Sequence, residues 1–171
     1  YDDTGNTDRF IDRYGHLYKH SYITNKFYIY DGQKWKVDDR GAIRKLIDEM
    51  IESIKNEKVL HSEDVTEEEA REAFQKYYKK TRGTQSKKNI MNELMHRKTV
   101  TPDEFDKDDM LLNVANGYID LTSRELYKHD INRMFSQIAN TDYSEKMQPA
   151  VWLDFLNDIF AGDKAVIRYI Q

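Results

Sequence analysis

The sequence predicts an α+β fold, a helical domain with small antiparallel β-hairpins, and three patterns carry that prediction. Aromatic and β-branched residues stand on both sides of Asp31-Gly32, a second apolar alternation surrounds Asn116-Gly117, and the stretches between and after them place apolar residues at helical spacing. Asp-Gly and Asn-Gly steps supply the backbone angles of hairpin turns, whereas recurrence every three or four residues lines one side of a helix. Local hairpins combined with at least four helices define the α+β class.

In chain order, Asp2-Asp3-Thr4 caps a first short helix that carries Phe10, Ile11 and Tyr14 and is closed by Gly15. Leu17-Tyr18, Phe27-Tyr28-Ile29-Tyr30 and Trp35-Lys36-Val37 are extended segments around the Asp31-Gly32 turn. The clearest helix follows, with Ile43, Leu46, Ile47, Met50, Ile51 and Ile54 on one face, charges on the other, and Asp38 or Asp39 as its cap. Thr66 and Glu69 form a capping box for a third helix, which is expected to bury Ala70, Ala73, Phe74 and Tyr77 and to end at Thr81-Arg82-Gly83-Thr84. A fourth runs from about Ser86 through Ile90, Met91, Leu94 and Met95, and Thr101-Pro102 opens a short turn with proline at its favoured first position.

From Asp108 the period changes. Leu111-Leu112-Asn113-Val114 and Tyr118-Ile119-Asp120-Leu121 form a second hairpin with Asn116-Gly117 in or beside its turn. Gly117 is expected to take positive φ there, and Asn116 and Asp120 to close the turn by side-chain hydrogen bonds. Thr122-Ser123-Arg124 turns into Glu125-Leu126-Tyr127, and a further strand is expected near Ser136 to Ala139. After Pro149 a helix is expected to bury Trp152, Phe155, Leu156, Ile159 and Phe160 and to end at Gly162, with another starting at Asp163.

Apolar residues make up only 39% of the chain, but aromatic residues reach 12% and tyrosine occurs 12 times, so much of the core comes from side chains with a polar tip. With 0 cysteines there is neither a disulfide framework nor a thiolate metal site. No apolar run approaches the roughly 18 to 20 residues that cross a bilayer, and no signal-peptide pattern is present, which reads as a soluble cytoplasmic protein. Tyr1 is not a start methionine, and Gln171 follows the apolar run Val166, Ile167, Tyr169 and Ile170; the expectation is a piece of a longer chain.

Catalytic patterns are missing. A phosphate-cradling loop needs clustered glycines and a Gly-Lys step, yet the 7 glycines are isolated and none precedes lysine. Asp106-Lys107-Asp108 has the spacing of a two-metal carboxylate pair, but it sits in the charged segment Asp103 to Asp109 and reads as a capped, solvated turn. His16, His20, His61, His96 and His129 lie on different elements, with no His-Glu-x-x-His pattern, and no Gly-x-Ser-x-Gly elbow occurs. No catalytic residue, metal ligand or cofactor is therefore assigned to this chain.

Charge is unevenly spread within the net -4. Glu63, Asp64, Glu67, Glu68, Glu69 and Glu72 are opposed by Arg71 alone, after which Lys76, Lys79, Lys80, Arg82, Lys87, Lys88, Arg97 and Lys98 are opposed by Glu93 alone. Acids at a helix start and bases at its end complement the macrodipole, which accounts for part of the pattern. The bases continue into the next helix, however, and Tyr78 and the Gly83-Thr84 turn accompany them. These residues are the candidate DNA-binding set, with Tyr78 offering a stacking ring and the turn a phosphate site at a helix start.

The block Asp108 to Leu121, containing Leu112, Asn113, Asn116, Gly117, Asp120 and Leu121, continues through Thr122, Leu126, His129-Asp130, Tyr143, Pro149, Trp152, Phe155-Leu156 and Phe160. With Asp3-Thr4-Gly5-Asn6, Arg9-Phe10 and Tyr30 to Trp35 in the first half, it resembles the poxvirus "D-five"-type N-terminal domain of phage and plasmid primase-helicases. The resemblance implies that residues 1–162 form a collar-type helicase-associated domain and that residues 163–171 begin a linker helix. It places the domain between a primase and a superfamily-three AAA+ helicase that forms a hexameric ring and uses ATP and Mg. It supplies no catalytic residue here; Leu112, Asn113, Asn116, Gly117, Asp120, Leu121 and Trp152 are read as structural. The implied function is noncatalytic: positioning DNA and assisting assembly or coupling of the ring. A DNA-binding origin- or fork-recognition module and a metal-dependent primase or nuclease using Asp106 and Asp108 are the alternatives.

Overall fold

The computed structural model describes residues 2–59, 64–146 and 150–170, so the readings made at Tyr1, His61, Glu63, Pro149 and Gln171 lie outside the described residues. Among the described residues the chain is α+β, with six α-helices and two three-stranded antiparallel sheets. The order is α1 (Asp3–Tyr14), β1 (Tyr18–Ser21), β2 (Lys26–Tyr30), β3 (Trp35–Val37), α2 (Ala42–Ile54), α3 (Glu67–Thr81), α4 (Thr84–Arg97), β4 (Leu111–Val114), β5 (Gly117–Asp120), β6 (Glu125–Tyr127), α5 (Ala150–Ile159) and α6 (Lys164–Ile170). Single 3-10 turns occupy Pro102–Glu104 and Ile131–Arg133.

The caps follow the sequence closely. Asp2 accepts from the Gly5 amide at 2.7 Å to start α1, and Thr66 and Glu69 form the reciprocal box that starts α3. Asp38, not Asp39, serves α2: its two carboxylate oxygens accept from the amides of Ala42 and Ile43 at 2.6 and 2.9 Å. The helix itself begins after Gly41, whose left-handed backbone (φ 67°) re-aims the chain so that Asp38 reaches those amides.

The main core lies where α1, α2, α3 and α4 meet the first sheet, and it is built from Phe10, Tyr18, Ile43, Ile47, Met50, Ile51, Ile54, Phe74, Tyr77, Ile90 and Leu94. Burying side chains of this size contributes about 1.5–3 kcal/mol each. The Tyr18 ring meets Phe10 edge-on at 5.6 Å, and its hydroxyl donates to the Leu94 carbonyl of α4 at 3.2 Å. Burial pushes the Tyr18 phenol up to about 12, the Arg97 charge opposing it. Ala73 is exposed, against expectation. The buried stripe of α3 is Ala70, Phe74, Tyr77 and Thr81, and Ala73 falls on its flank.

Both sheets are meanders, β1-β2-β3 and β4-β5-β6. In the first, the Asp31 carboxylate closes the β2–β3 turn by accepting from the amides of Gln33 and Lys34, both at 3.0 Å. In the second, Val114 faces Gly117, so the turn is Ala115-Asn116 and Gly117 opens the following strand. Gly117 has φ 154°, and a Cβ there would run into the Tyr127 carbonyl of β6. Close strand approach therefore requires glycine. Asp120 closes the next turn by accepting from Thr122 at 2.8 Å. Asn116 instead pairs with Tyr143, donating to its carbonyl and accepting from its amide, both at 3.0 Å.

Two further expectations are corrected. Ser136 to Ala139 is not a strand; it makes a single parallel bridge, Val114 to Ala139, because Asp106 takes amides that a neighbouring strand would otherwise bind. In α5 only Leu156 is buried, while Trp152, Phe155 and Ile159 are 47%, 49% and 57% exposed. The apolar stripe exists as read, but among the described residues it is only partly covered, and Phe160 is half-buried. No helix among the described residues is long and apolar enough to cross a membrane.

His20 links the first sheet to the segment after α4: its amide donates to the Lys98 carbonyl at 2.8 Å and its carbonyl accepts from Val100 at 2.9 Å. The ring is buried between Tyr22 and Phe27, and burial holds its pKa below the ordinary imidazole value of 6.5, with a hydrogen bond to the Met95 backbone opposing the shift. Because the unfolded chain takes up that proton near pH 6.5 and the folded chain does not, stability falls as pH drops below about 6.5. Urea midpoints measured at pH 7.5 and 5.5 should show this loss, and His20→Gln should shrink the difference between the two values. An unchanged difference would exclude His20 as its source.

Candidate nucleic-acid interface

Residues 76–98 of α3 and α4 carry the basic stretch, and the chain reverses between the two helices at Arg82-Gly83. Gly83 caps α4 without a side-chain hydrogen bond, while the Lys80 carbonyl, which already accepts from the Gly83 amide at 2.9 Å, lies 3.0 Å from where a Cβ would sit. Glycine thus permits the tight reversal that brings the end of α3 next to the start of α4.

The structure divides the candidate residues into two groups. Lys87 reaches Asp48 of α2 at 2.6 Å, Arg82 reaches Glu52 of α2 at 3.4 Å, and Arg97 reaches Asp8 of α1 at 3.2 Å. Tyr78 joins this group: its hydroxyl donates to Glu52 at 3.3 Å and the Arg82 guanidinium lies over its ring at 5.6 Å. One face of Tyr78 is therefore already occupied. Lys76, Lys79, Lys80, Lys88 and Lys98 are exposed and form no ion pair among the described residues. Lys76, Lys79 and Lys80 share the side of α3 turned away from Phe74 and Tyr77, and Lys88 lies across α4 from Ile90 and Leu94.

Acidic partners of the basic stretch were invisible to local reading. Asp48 and Glu52 lie four apart on the polar face of α2, a spacing visible in the sequence, and Glu52 also meets its helix neighbour Lys55 at 3.4 Å, but Lys87 and Arg82 reach these acids from thirty or more positions downstream. A buried polar knot was equally hidden: Tyr77 bonds Asn6 through its hydroxyl, Arg9 reaches the same tyrosine at 3.2 Å, and Arg9 makes a two-pronged pair with Glu57 at 3.2 and 3.1 Å. It fastens α1 to α3 and to the end of α2.

The two acids of the candidate metal pair have different hydrogen-bond partners. Asp106 has left-handed backbone (φ 51°), and its carboxylate accepts from the Ser136 amide at 2.8 Å, the Ser136 hydroxyl and the Gln137 amide at 3.4 Å. It is a clamp between segments, not a solvated turn residue. Asp108 accepts from the Met110 amide at 3.0 Å and closes its own loop. Among the described residues no group of three or more His, Asp or Glu side chains is arranged to hold a metal ion.

The signature residues have structural placements. Asn113 donates to the carbonyls of Gln33 and Gln137 at 3.1 and 2.9 Å, tying the first hairpin and the 135–139 segment to β4. Leu112 and Leu121 are exposed on the second sheet, and Trp152 stacks on Phe155 at 5.5 Å within α5.

Residues 7–161 match the family model described as "D5 N terminal like". No curated protein matches the chain.

Asp106→Ala leaves the Ser136 and Gln137 amides without their acceptor. The variant should be less stable by about 1–3 kcal/mol, read from urea unfolding, and hydrogen exchange at those two amides should quicken. Wild-type exchange at both would mean the clamp is not formed.

Proposed function

The chain belongs to the D5 N-terminal-like family, a domain family of primase-helicase-type replication proteins, and from that premise we propose that it is a noncatalytic accessory domain that positions DNA beside a superfamily-three AAA+ motor. The observation that carries this reading is the set of exposed lysines, Lys76, Lys79, Lys80 and Lys88, which form no ion pair among the described residues while Arg82, Lys87 and Arg97 are paired with acids of α1 and α2. Lysines free of internal partners release counterions when they meet phosphates, which attracts a DNA backbone without reading its sequence. Lys98, one residue past α4, is also exposed and forms no ion pair among the described residues. A tyrosine pinned by Arg82 and Glu52 braces this surface, so phosphate contact rather than base stacking dominates the proposed binding.

In this reading the domain works with the primase and helicase portions of its parent, helping the ATP- and Mg-dependent hexameric ring assemble and coupling it to priming. The phage, plasmid or mobile-element setting belongs to the same proposal.

The first test replaces Lys76, Lys79, Lys80 and Lys88 by Glu. Each side chain is exposed, so the fold should survive. Fluorescence anisotropy on a single-stranded oligonucleotide should show binding weakened by more than tenfold, and each lost contact should lower the log–log salt slope by about 0.7. Equal affinity in the variant would remove the surface from consideration. A second test asks for turnover: the purified 171-residue chain should hydrolyse no nucleoside triphosphate and extend no primer. Mg²⁺-dependent activity that disappears with Asp106→Ala would overturn the noncatalytic reading.

A further inference from the structure

The second sheet carries a cleft of opposite character. It encloses about 450 Å³ between the edge of β4, the 135–139 segment and the Asp106–Asp109 loop, and Asp108, Asp109, Leu112, Asn113 and Ile138 are among its lining residues. We propose that this cleft docks a lysine or arginine side chain presented on an extended segment of a partner protein.

Charge is the first argument. Asp108 and Asp109 are exposed and make no ion pair among the described residues, with Lys107 the one cation in their loop. Their potential repels phosphate and attracts an ammonium or guanidinium, so the occupant is not nucleic acid.

Asn113 supplies the second. It is 4% exposed, and both its amide hydrogens are committed to Gln33 and Gln137, which leaves its buried Oδ1 without a donor among the described residues. An orphaned buried acceptor calls for a donor. A basic head group brings several, enough to serve both the amide oxygen and the aspartates.

Shape is the third. Leu112, 43% exposed, offers the apolar wall along which the hydrocarbon stem of lysine or arginine packs while its head stays with the carboxylates. β4 is an edge strand, and the 135–139 segment joins it through one bridge at Val114 and Ala139. The cleft lies where the two segments are no longer paired, beside the outer side of β4.

None of the lysines of the DNA reading takes part, so the two proposals stand or fall separately. The experiment titrates the ¹⁵N-labelled 171-residue chain at low salt with acetyl-Leu-Arg-Leu-amide and, as control, acetyl-Leu-Glu-Leu-amide. Saturable shifts at the Asn113 side-chain amide and the Leu111 and Leu112 backbone amides are expected with the arginine peptide alone. Asp108→Asn with Asp109→Asn keeps the loop acceptor at residue 108 and should weaken that binding by about five- to tenfold, with the rest of the spectrum unchanged. The proposal is overturned by an absence of saturable shifts, by equal response to the two peptides, or by unchanged affinity in the double variant. Mg²⁺ producing the same shifts while the arginine peptide fails to displace it would also overturn it, assigning the aspartates to a cation instead.

Discussion

The two halves of this protein meet on a constraint of backbone polarity: the partly buried carbonyls at their junction must find donors. Asn113 is the residue that meets it, giving one amide hydrogen to Gln33 from the first hairpin and the other to Gln137 from the segment beyond the second. Trp35 completes the junction with its backbone amide on Phe135 at 2.7 Å and its indole on Ile131 at 3.1 Å. Gln33 returns the contact by donating to Ala115 at 2.9 Å, where His129 also approaches at 3.3 Å. Substituting the asparagine would strand two carbonyls at once, a cost out of proportion to its volume. The same commitment leaves its own oxygen without a partner among the described residues, in a side chain that also lines the acidic cleft.

Around this junction the charges are sorted rather than mixed. Helix α2 contributes Asp48 and Glu52, and α1 contributes Asp8, to neutralise the cations nearest the core. Those pairs are partly exposed, so each contributes little to stability. Their consequence is selection: the lysines beyond their reach remain solvated and available. On the second sheet Asp108 and Asp109 of the cleft make no ion pair among the described residues. A chain of net charge -4 therefore carries exposed lysines on α3 and α4 as well as an acidic cleft, and the formal total conceals both.

The sequence alone determined whatever depends on neighbours within a turn or two. The capping box at Thr66 and Glu69, the carboxylate turn at Asp31, the hairpins at Asp31-Gly32 and Asn116-Gly117 and the apolar stripe of α2 all stand, because a helix stripe or a tight turn is specified by residues a few positions apart. The block around Asn113 also carried the family. Tertiary structure decided the rest. It converted Asp106 from a loop acid into a clamp, sent Asn116 to Tyr143, reduced the expected strand at Ser136 to one bridge, and left Trp152 and Phe155 exposed on α5. In each case the outcome rests on a partner distant in the chain, or on how far the described residues cover a helix face, and a local pattern records neither. The lysines follow the same rule: their positive run was legible, but which of them are free depended on where α2 and α1 placed their acids.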